Sequence, residues 1–236
     1  MVVLHGLFGS ARNLTGLTRA LSMGHRVIAM DLRNHGESGH DPVAGYGEMA
    51  ADVVATLDAQ DVRSAALVGH SMGGKVAMHL ALEWPGRVSR LVVADIAPVP
   101  YPSHFGAFVQ AMLRVPATAS RGEADAVLAP DVVDPAVRGF LLHNFRPGLG
   151  WRVGLAEIAV NLGQIETWND CGEPFCGPTL FVTGARSDYV LPEHRPVITR
   201  LFPAARFEAV ADAGHWLHAE QPALFNAIVD RFLAET

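Results

Sequence analysis

The sequence predicts an α/β fold, with a mostly or wholly parallel sheet of about six strands, helices on both faces of the sheet and a helical cap. Apolar runs alternate along the chain with segments of helical periodicity, an order typical of parallel sheets with right-handed crossovers. Most of these runs are continuous, as expected for strands that are buried on both faces. Residues 98–168 interrupt the alternation with short helical segments.

Six apolar runs predict the strands, in chain order Val2–His5, Arg26–Asp31, Ala65–Gly69, Leu91–Asp95, Thr179–Gly184 and Arg206–Val210. Segments of helical pattern lie between them at Ala11–Leu21, Tyr46–Gln60, Met72–Trp84, Glu193–Leu201 and Pro222–Leu233. The interruption contains no convincing strand. It contains four helical stretches, at Phe105–Leu113, Arg121–Leu128, Pro135–His143 and Trp151–Trp168. A helical insertion between two parallel strands is typical of a lid. We therefore expect a core of residues 1–97 and 169–236 and a cap of residues 98–168.

Composition limits the classes of protein to which the chain can belong. Its 236 residues are half hydrophobic, with a mean hydropathy of +0.21, which is compatible with one globular α/β domain. The net charge of −6 and the lack of a basic run argue against nucleic-acid binding. Without a signal peptide or an apolar stretch of membrane-spanning length, we expect a cytoplasmic protein that does not bind membranes. Cys171 and Cys176 lack further Cys or His neighbours, so we expect neither a disulfide framework nor a metal site.

A candidate nucleophile lies in the segment Gly69-His70-Ser71-Met72-Gly73, between a predicted strand and a predicted helix. This is the context of a G-x-S-x-G nucleophile elbow, in which the turn is too tight for side chains at the two glycine positions. The serine is then held in a strained, exposed conformation at the N-terminus of a helix, which favours negative charge. The pattern predicts that Ser71 attacks a carbonyl carbon.

An oxyanion hole is predicted from two main-chain N–H groups. The glycine-rich segment that starts at His5 follows the first strand, and the N–H of Leu7 is one candidate donor. The N–H of Met72, directly after the nucleophile, is the other. The alternative is that the glycines near His5 only form a structural turn.

The partners of Ser71 are expected at the carboxyl edge of the sheet, where parallel strands end. His215 follows the last strand and completes the chain order Ser…Asp…His, and His218 is its main competitor as the base. Two carboxylates could orient that histidine: Asp95 at the end of the fourth strand, and Asp188 after the fifth. The order of residues in the chain does not decide between these two carboxylates.

Five segments carry a resemblance to a known family: His5-Gly6-Leu7-Phe8-Gly9-Ser10, Asp31-Leu32-Arg33-Asn34-His35-Gly36-Glu37-Ser38, Gly69-His70-Ser71-Met72-Gly73-Gly74-Lys75, Asp95-Ile96-Ala97-Pro98 and Gly214-His215-Trp216-Leu217-His218-Ala219-Glu220. The chain resembles the α/β-hydrolase superfamily and, within it, the YbfF-type esterases. Asn34 stands where the generic superfamily has glycine. The superfamily's usual acid matches Ser187, one residue before Asp188, whereas the YbfF-type subgroup uses the acid that matches Asp95. The resemblance therefore favours Asp95.

The resemblance implies a serine hydrolase that cleaves carboxylic esters or thioesters of small to medium acyl groups through an acyl-enzyme, with no cofactor. We expect the substrate to be a small molecule whose acyl group contacts apolar residues of the cap, namely Phe105, Phe108, Met112, Phe140 and Trp168. Two alternatives remain: a C–C bond hydrolase or lyase on the same triad, and a non-catalytic ligand-binding protein of this fold.

The second predicted strand, Arg26–Asp31, is expected at an edge of the sheet. About twenty residues that form the first two strands in the superfamily have no counterpart before Met1. The exposed edge would be apolar, and such edges are usually paired or covered. We therefore expect this strand to form a homodimer contact or to promote aggregation.

Overall fold

The structure, a computed structural model, describes residues 1–102 and 105–235. Its eight strands are β1 (Val2–Leu4), β2 (Ile28–Met30), β3 (Ala65–His70), β4 (Val88–Ala94), β5 (Phe145–Arg146), β6 (Gly150–Trp151), β7 (Thr179–Gly184) and β8 (Ala205–Val210). Its ten α-helices are α1 (Thr15–Leu21), α2 (Tyr46–Ala59), α3 (Met72–Glu83), α4 (Phe105–Leu113), α5 (Arg121–Leu128), α6 (Pro135–Leu142), α7 (Leu155–Glu166), α8 (Arg195–Leu201), α9 (Leu217–Glu220) and α10 (Pro222–Ala234). Short 3₁₀ turns cover Ala11–Leu14, Pro85–Arg87 and Pro192–His194.

Six strands form one parallel sheet in the order β2-β1-β3-β4-β7-β8, which confirms the predicted six-stranded parallel architecture. The crossovers place successive strands on both sides of β1. Because the strands are parallel, the ends of β1, β3, β4 and β7 open onto the same edge of the sheet. β2 is an edge strand, as the sequence predicts, and its three residues are half-buried.

The two faces of the sheet are buried by different helices. Side chains alternate along each strand, so that Leu67 and Phe181 face one hydrophobic cluster whereas Val68 and Val182 face the other. The first cluster contains residues of α2, α3 and α8, and the second contains residues of α1, α9 and α10. The expectation of helices on both faces is therefore confirmed.

An insertion between β4 and β7 carries α4 to α7 and a small hairpin. We refer to residues 98–168 as the insertion. The hairpin pairs β5 with β6 in antiparallel register and corrects the expectation that this segment has no strand. Each of its strands has two residues, too few for an alternating pattern. Gly148 in its turn and Gly150 at the start of β6 adopt positive φ. The last helix of the insertion, α7, is also shorter than the predicted Trp151–Trp168, because Trp151 belongs to a strand of the hairpin. No helix in the described ranges is long and apolar enough to cross a bilayer.

Candidate active site

Ser71 occupies the turn between β3 and α3 with a strained backbone (φ 53°, ψ −121°). The close approach of the chain requires its neighbouring glycines. A Cβ at Gly69 would lie 2.2 Å from the carbonyl oxygen of Gly73, and one at Gly73 would lie 2.5 Å from that of Leu4. The Ser71 N–H donates to the Ala94 carbonyl of β4 at 2.9 Å, which fixes the turn to the sheet. The local geometry is therefore that of a nucleophile elbow.

His215 joins Ser71 to a carboxylate. Its Nε2 lies 3.1 Å from Ser71 Oγ, and its Nδ1 lies 2.8 Å from Asp95 Oδ2. Since the carboxylate can only accept, Nδ1 carries the proton and Nε2 is free to accept the serine hydroxyl. The Tyr189 ring stacks on His215 with centroids 3.8 Å apart and an interplanar angle of 16°. This ordered tautomer is the one that a general base requires.

Asp95 is the carboxylate that the structure brings to His215. It is fully buried, Oδ1 accepts from the Gly184 N–H at 2.9 Å, and Oδ2 accepts from the Ser187 hydroxyl. These donors compensate the anion in a site without solvent. Asp188 is exposed and makes no such contact with the histidine among the described residues. Sequence reasoning missed the contact of Ser187, which stands at the position of the superfamily's usual acid.

Two main-chain N–H groups flank Ser71. That of Leu7 makes no main-chain hydrogen bond in the described structure, and that of Met72 begins α3, where helices lack an internal acceptor. Leu7, Ser71 and Met72 line a chamber of about 30 Å³. The arrangement leaves room for an oxygen that carries developing negative charge.

Two buried histidines shape the loop that carries Leu7. His5 Nε2 accepts from the Leu32 N–H at 3.0 Å, and His35 Nε2 accepts from the Phe8 N–H at 3.1 Å. Phe8 itself adopts a positive φ of 58°. Burial lowers the pKa of His35 to about 3 and also lowers the pKa of His5, so both rings are neutral and can accept. The role of His35 could not be predicted from the sequence, because its partner lies 27 residues away in the chain.

A second histidine pair lies behind His215. His70 Nε2 donates to the His215 carbonyl at 2.8 Å, and the His218 ring lies 4.4 Å from that of His70. Burial, with help from neighbouring histidines, lowers the pKa of His70 well below its usual value and that of His218 to about 4. The structure therefore places His215 against Ser71, and His218 against His70.

A cavity of about 420 Å³ opens onto Ser71, and most of its wall is apolar. Of the five residues predicted to bind substrate, Phe105, Phe108 and Phe140 line this cavity. Met112 and Trp168 do not. Met112 is fully buried within the insertion, and its carbonyl accepts from a tryptophan N–H, while Trp168 packs on Tyr46. Their apolar character reflects packing of the insertion on itself and on the core.

The side chain of Asn34 closes the loop after β2. This role explains why the position holds asparagine where the superfamily has glycine. Its side chain accepts from the Asp41 N–H at 2.7 Å and donates to the Asp41 carbonyl at 2.9 Å. Its φ is 65°, a conformation that Asn tolerates better than most residues. The insertion also contacts this loop, because the Gly154 N–H donates to the Asn34 carbonyl at 2.8 Å.

Metal-ligating side chains converge at one place in the described chain, away from Ser71. Ligand atoms of His79, Glu83 and Cys171 lie within 4.8 Å of one another near the C-terminal end of α3. Burial, reinforced by Glu83, raises the pKa of the Cys171 thiol to about 12. The thiol is therefore protonated at neutral pH, and this group does not adjoin the cavity.

Comparison with known proteins identifies close relatives. The model of a family described as alpha/beta hydrolase fold matches residues 1–222. The chain is 44% identical over 247 residues to the mouse "sn-1-specific diacylglycerol lipase ABHD11", covering 99% of this chain and 80% of the relative. It is 38% identical over 237 residues to "Esterase YbfF" of Escherichia coli, covering 99% and 92%. A solved structure, "Marine microorganism esterase", superposes with a TM-score of 0.94 at 32% identity, covering 98% and 94%.

Proposed function

This chain belongs to the alpha/beta hydrolase fold family, as a YbfF-type esterase, and from that membership we propose that Ser71, His215 and Asp95 form the catalytic triad of a carboxylic ester hydrolase. Esterase and lipase relatives support the activity on esters. The observation that carries the residue assignment is the pair of contacts of His215, at 3.1 Å to Ser71 and 2.8 Å to Asp95.

The proposed reaction has two halves. His215 Nε2 takes the hydroxyl proton as Ser71 Oγ attacks the carbonyl carbon, and the N–H groups of Leu7 and Met72 stabilise the oxyanion. His215 then protonates the leaving alcohol or thiol, which leaves an acyl group on Ser71. Water, activated by the same nitrogen, hydrolyses the acyl-enzyme and restores the serine. Asp95 remains ionised and keeps the His215 ring in its productive tautomer.

The proposed substrate is an ester or thioester with a small to medium acyl group. The insertion acts as a cap, since Phe105, Phe108 and Phe140 close the cavity over Ser71. A cavity of about 420 Å³ with an apolar wall suits a hydrocarbon chain better than a polar or charged one. The diacylglycerol lipase relatives are named for a glyceride substrate, whereas the name of the esterase relative specifies no substrate.

The first experiment is labelling with a fluorophosphonate probe, followed by mass spectrometry of the modified peptide. We expect one adduct, on Ser71, and loss of labelling in Ser71→Ala. Ser38→Ala is the matched control, because Ser38 donates to the Asp31 carbonyl within the loop after β2 and lies outside the cavity. Turnover of p-nitrophenyl esters from acetate to decanoate then gives the chain-length profile.

Two results would contradict the proposal. Absence of labelling by the folded protein would favour the non-catalytic, ligand-binding alternative. Labelling of Ser71 without turnover of any ester or thioester would favour C–C bond cleavage by the same triad.

A further inference from the structure

Lys75 is the single lysine of the chain and is almost completely buried. Of the 18 lysine and arginine residues, 17 are arginine and one is lysine. Lys75 lies on α3, four residues after Ser71, and is 1% exposed. A buried cation is costly unless nearby groups compensate it. The contacts of this ammonium group therefore need an explanation beyond solubility or surface charge.

The ammonium group of Lys75 bonds to both ends of the insertion. Nζ donates to the carbonyl of Val99, where the insertion begins, at 2.9 Å. It also donates to the carbonyl of Thr167, where the insertion ends, at 2.8 Å. The two ends bond to each other as well, because the Tyr101 N–H donates to the Glu166 carbonyl at 2.8 Å. Lys75, on α3 (the nucleophile helix), thus bonds both ends of the insertion to the core.

The surroundings of Lys75 fit a compact amine. Its Nζ lies 4.9 Å from the ring centroid of Tyr101 and 5.5 Å from that of Tyr46. Burial lowers the pKa of Lys75 to about 7, although the Glu166 carboxylate acts to raise it. A neutral amine still has two N–H groups, the number that the two carbonyls require. Arginine is bulkier and cannot lose its charge, so lysine suits this position in either protonation state.

The same contacts lead from the insertion to His215. The Tyr101 hydroxyl accepts from the Ala97 N–H at 2.9 Å and donates to the Tyr189 carbonyl. Tyr189 is the residue whose ring stacks on His215. Lys75 and Tyr101 also line the chamber that contains Ser71 and the Leu7 N–H. The ends of the insertion and the reacting groups therefore share one packed wall.

We propose that Lys75 is a positioning residue, which holds both ends of the insertion on the nucleophile helix and thereby keeps the apolar cavity closed over Ser71. The proposal rests on the proposed esterase function only for its kinetic readout. Binding of an ester whose acyl group fills the cavity depends on the position of the insertion. The acyl group of an acetyl ester hardly reaches the insertion. Loss of Lys75 should therefore weaken binding of long acyl groups selectively.

The test compares Lys75→Met, which keeps an unbranched side chain one heavy atom shorter and removes its donors, with Leu80→Ala as a control. Leu80 is buried on the same helix but makes no hydrogen bond to the insertion through its side chain. For Lys75→Met we expect KM for p-nitrophenyl octanoate to rise about tenfold or more, and kcat/KM for the acetate to change less than threefold. Limited trypsin digestion should cut the insertion faster, at Arg114, Arg121 or Arg138. Equal losses on both esters, no change in either, or the same pattern in Leu80→Ala would overturn the proposal.

A second measurement needs neither a variant nor turnover. Because the chain has one lysine, selective ¹⁵N-lysine labelling gives a single Nζ signal in the NMR spectrum of the wild-type protein. We expect Nζ protons that exchange slowly with water and a titration midpoint about 7. A rapidly exchanging amine with the pKa of a solvated lysine would overturn the proposal even if Lys75→Met does not fold. If the Nζ protons exchange slowly but the protein hydrolyses no ester, only the proposed function is refuted.

Discussion

Replacement of Asp95 by asparagine is the sharpest test of the triad, because the structure fixes how the new amide must lie. The Gly184 N–H donates to Oδ1 of Asp95, so the amide oxygen must occupy that position. The amide NH₂ then replaces Oδ2 and points at His215 Nδ1, which lies 2.8 Å from it. An NH₂ group donates, and it therefore forces the proton of His215 onto Nε2. That nitrogen can no longer accept the proton of Ser71.

The expected loss follows from that change of tautomer. Holding a triad histidine in the wrong tautomer typically lowers kcat about 10⁴-fold, which corresponds to about 5.5 kcal/mol of transition-state stabilisation. The assay is steady-state hydrolysis of p-nitrophenyl butyrate by Asp95→Asn at neutral pH, with circular dichroism as the check of folding. Asp188→Asn is the matched control, because Asp188 is exposed, and its kcat should change less than threefold.

Either of two outcomes would refute this reasoning. Asp188→Asn could prove the more damaging change, which would assign the acid to the loop after β7. Alternatively, Asp95→Asn could retain more than a tenth of the wild-type kcat in a correctly folded protein. The orientation of His215 would then not depend on the carboxylate that bonds to it.

Three further predictions concern the nucleophile, acid stability and the sheet edge. Ser71→Ala should lower kcat about 10⁶-fold, and more than a tenth of wild-type turnover would exclude the serine mechanism. The free energy of unfolding should fall as pH drops below 6.5, by up to about 1.4 kcal/mol per pH unit for each of His35 and His218. The sign follows from their lowered pKa values, about 3 and about 4, since the unfolded chain binds protons that the folded chain does not; a flat profile in urea titrations between pH 6.5 and 4.5 would contradict it. Ala29→Lys on β2 should reduce self-association in light scattering, and a wild-type protein that is already monomeric would contradict the edge contact.

The sheet and its helices could be predicted because their signals are local. Continuous apolar runs mark strands that are covered on both faces, and the predicted bounds of β7, α4 and α5 agree with the structure to the residue. Ser71 could be predicted for the same reason, since two glycines and a strand define its turn. The choice of Asp95 over Asp188 required the family resemblance, because both follow strands at the same edge.

Contacts between distant segments could not be predicted. The orientation of Phe8 by His35 and the compensation of Asp95 by Ser187 join residues 27 and 92 positions apart. The places of Met112 and Trp168 in the fold could not be predicted either. Their apolar side chains were consistent with a substrate pocket, but only the fold shows which apolar residues of a cap face the ligand and which face each other.

The strained backbone at the active site has a consequence for evolution and engineering. Ser71 (φ 53°) and Asp95 (φ 54°) both adopt conformations that cost a non-glycine residue about 1–3 kcal/mol each. Glycine would relieve that strain at either position, but at position 95 it would also leave the buried donors of Gly184, Ser187 and His215 without their acceptor. Selection for thermal tolerance alone should therefore enrich Ser71→Gly, an inactive protein with a higher melting temperature, but not Asp95→Gly. A directed-evolution campaign on this fold needs an activity screen at every round, because heat resistance and turnover make opposite demands on Ser71.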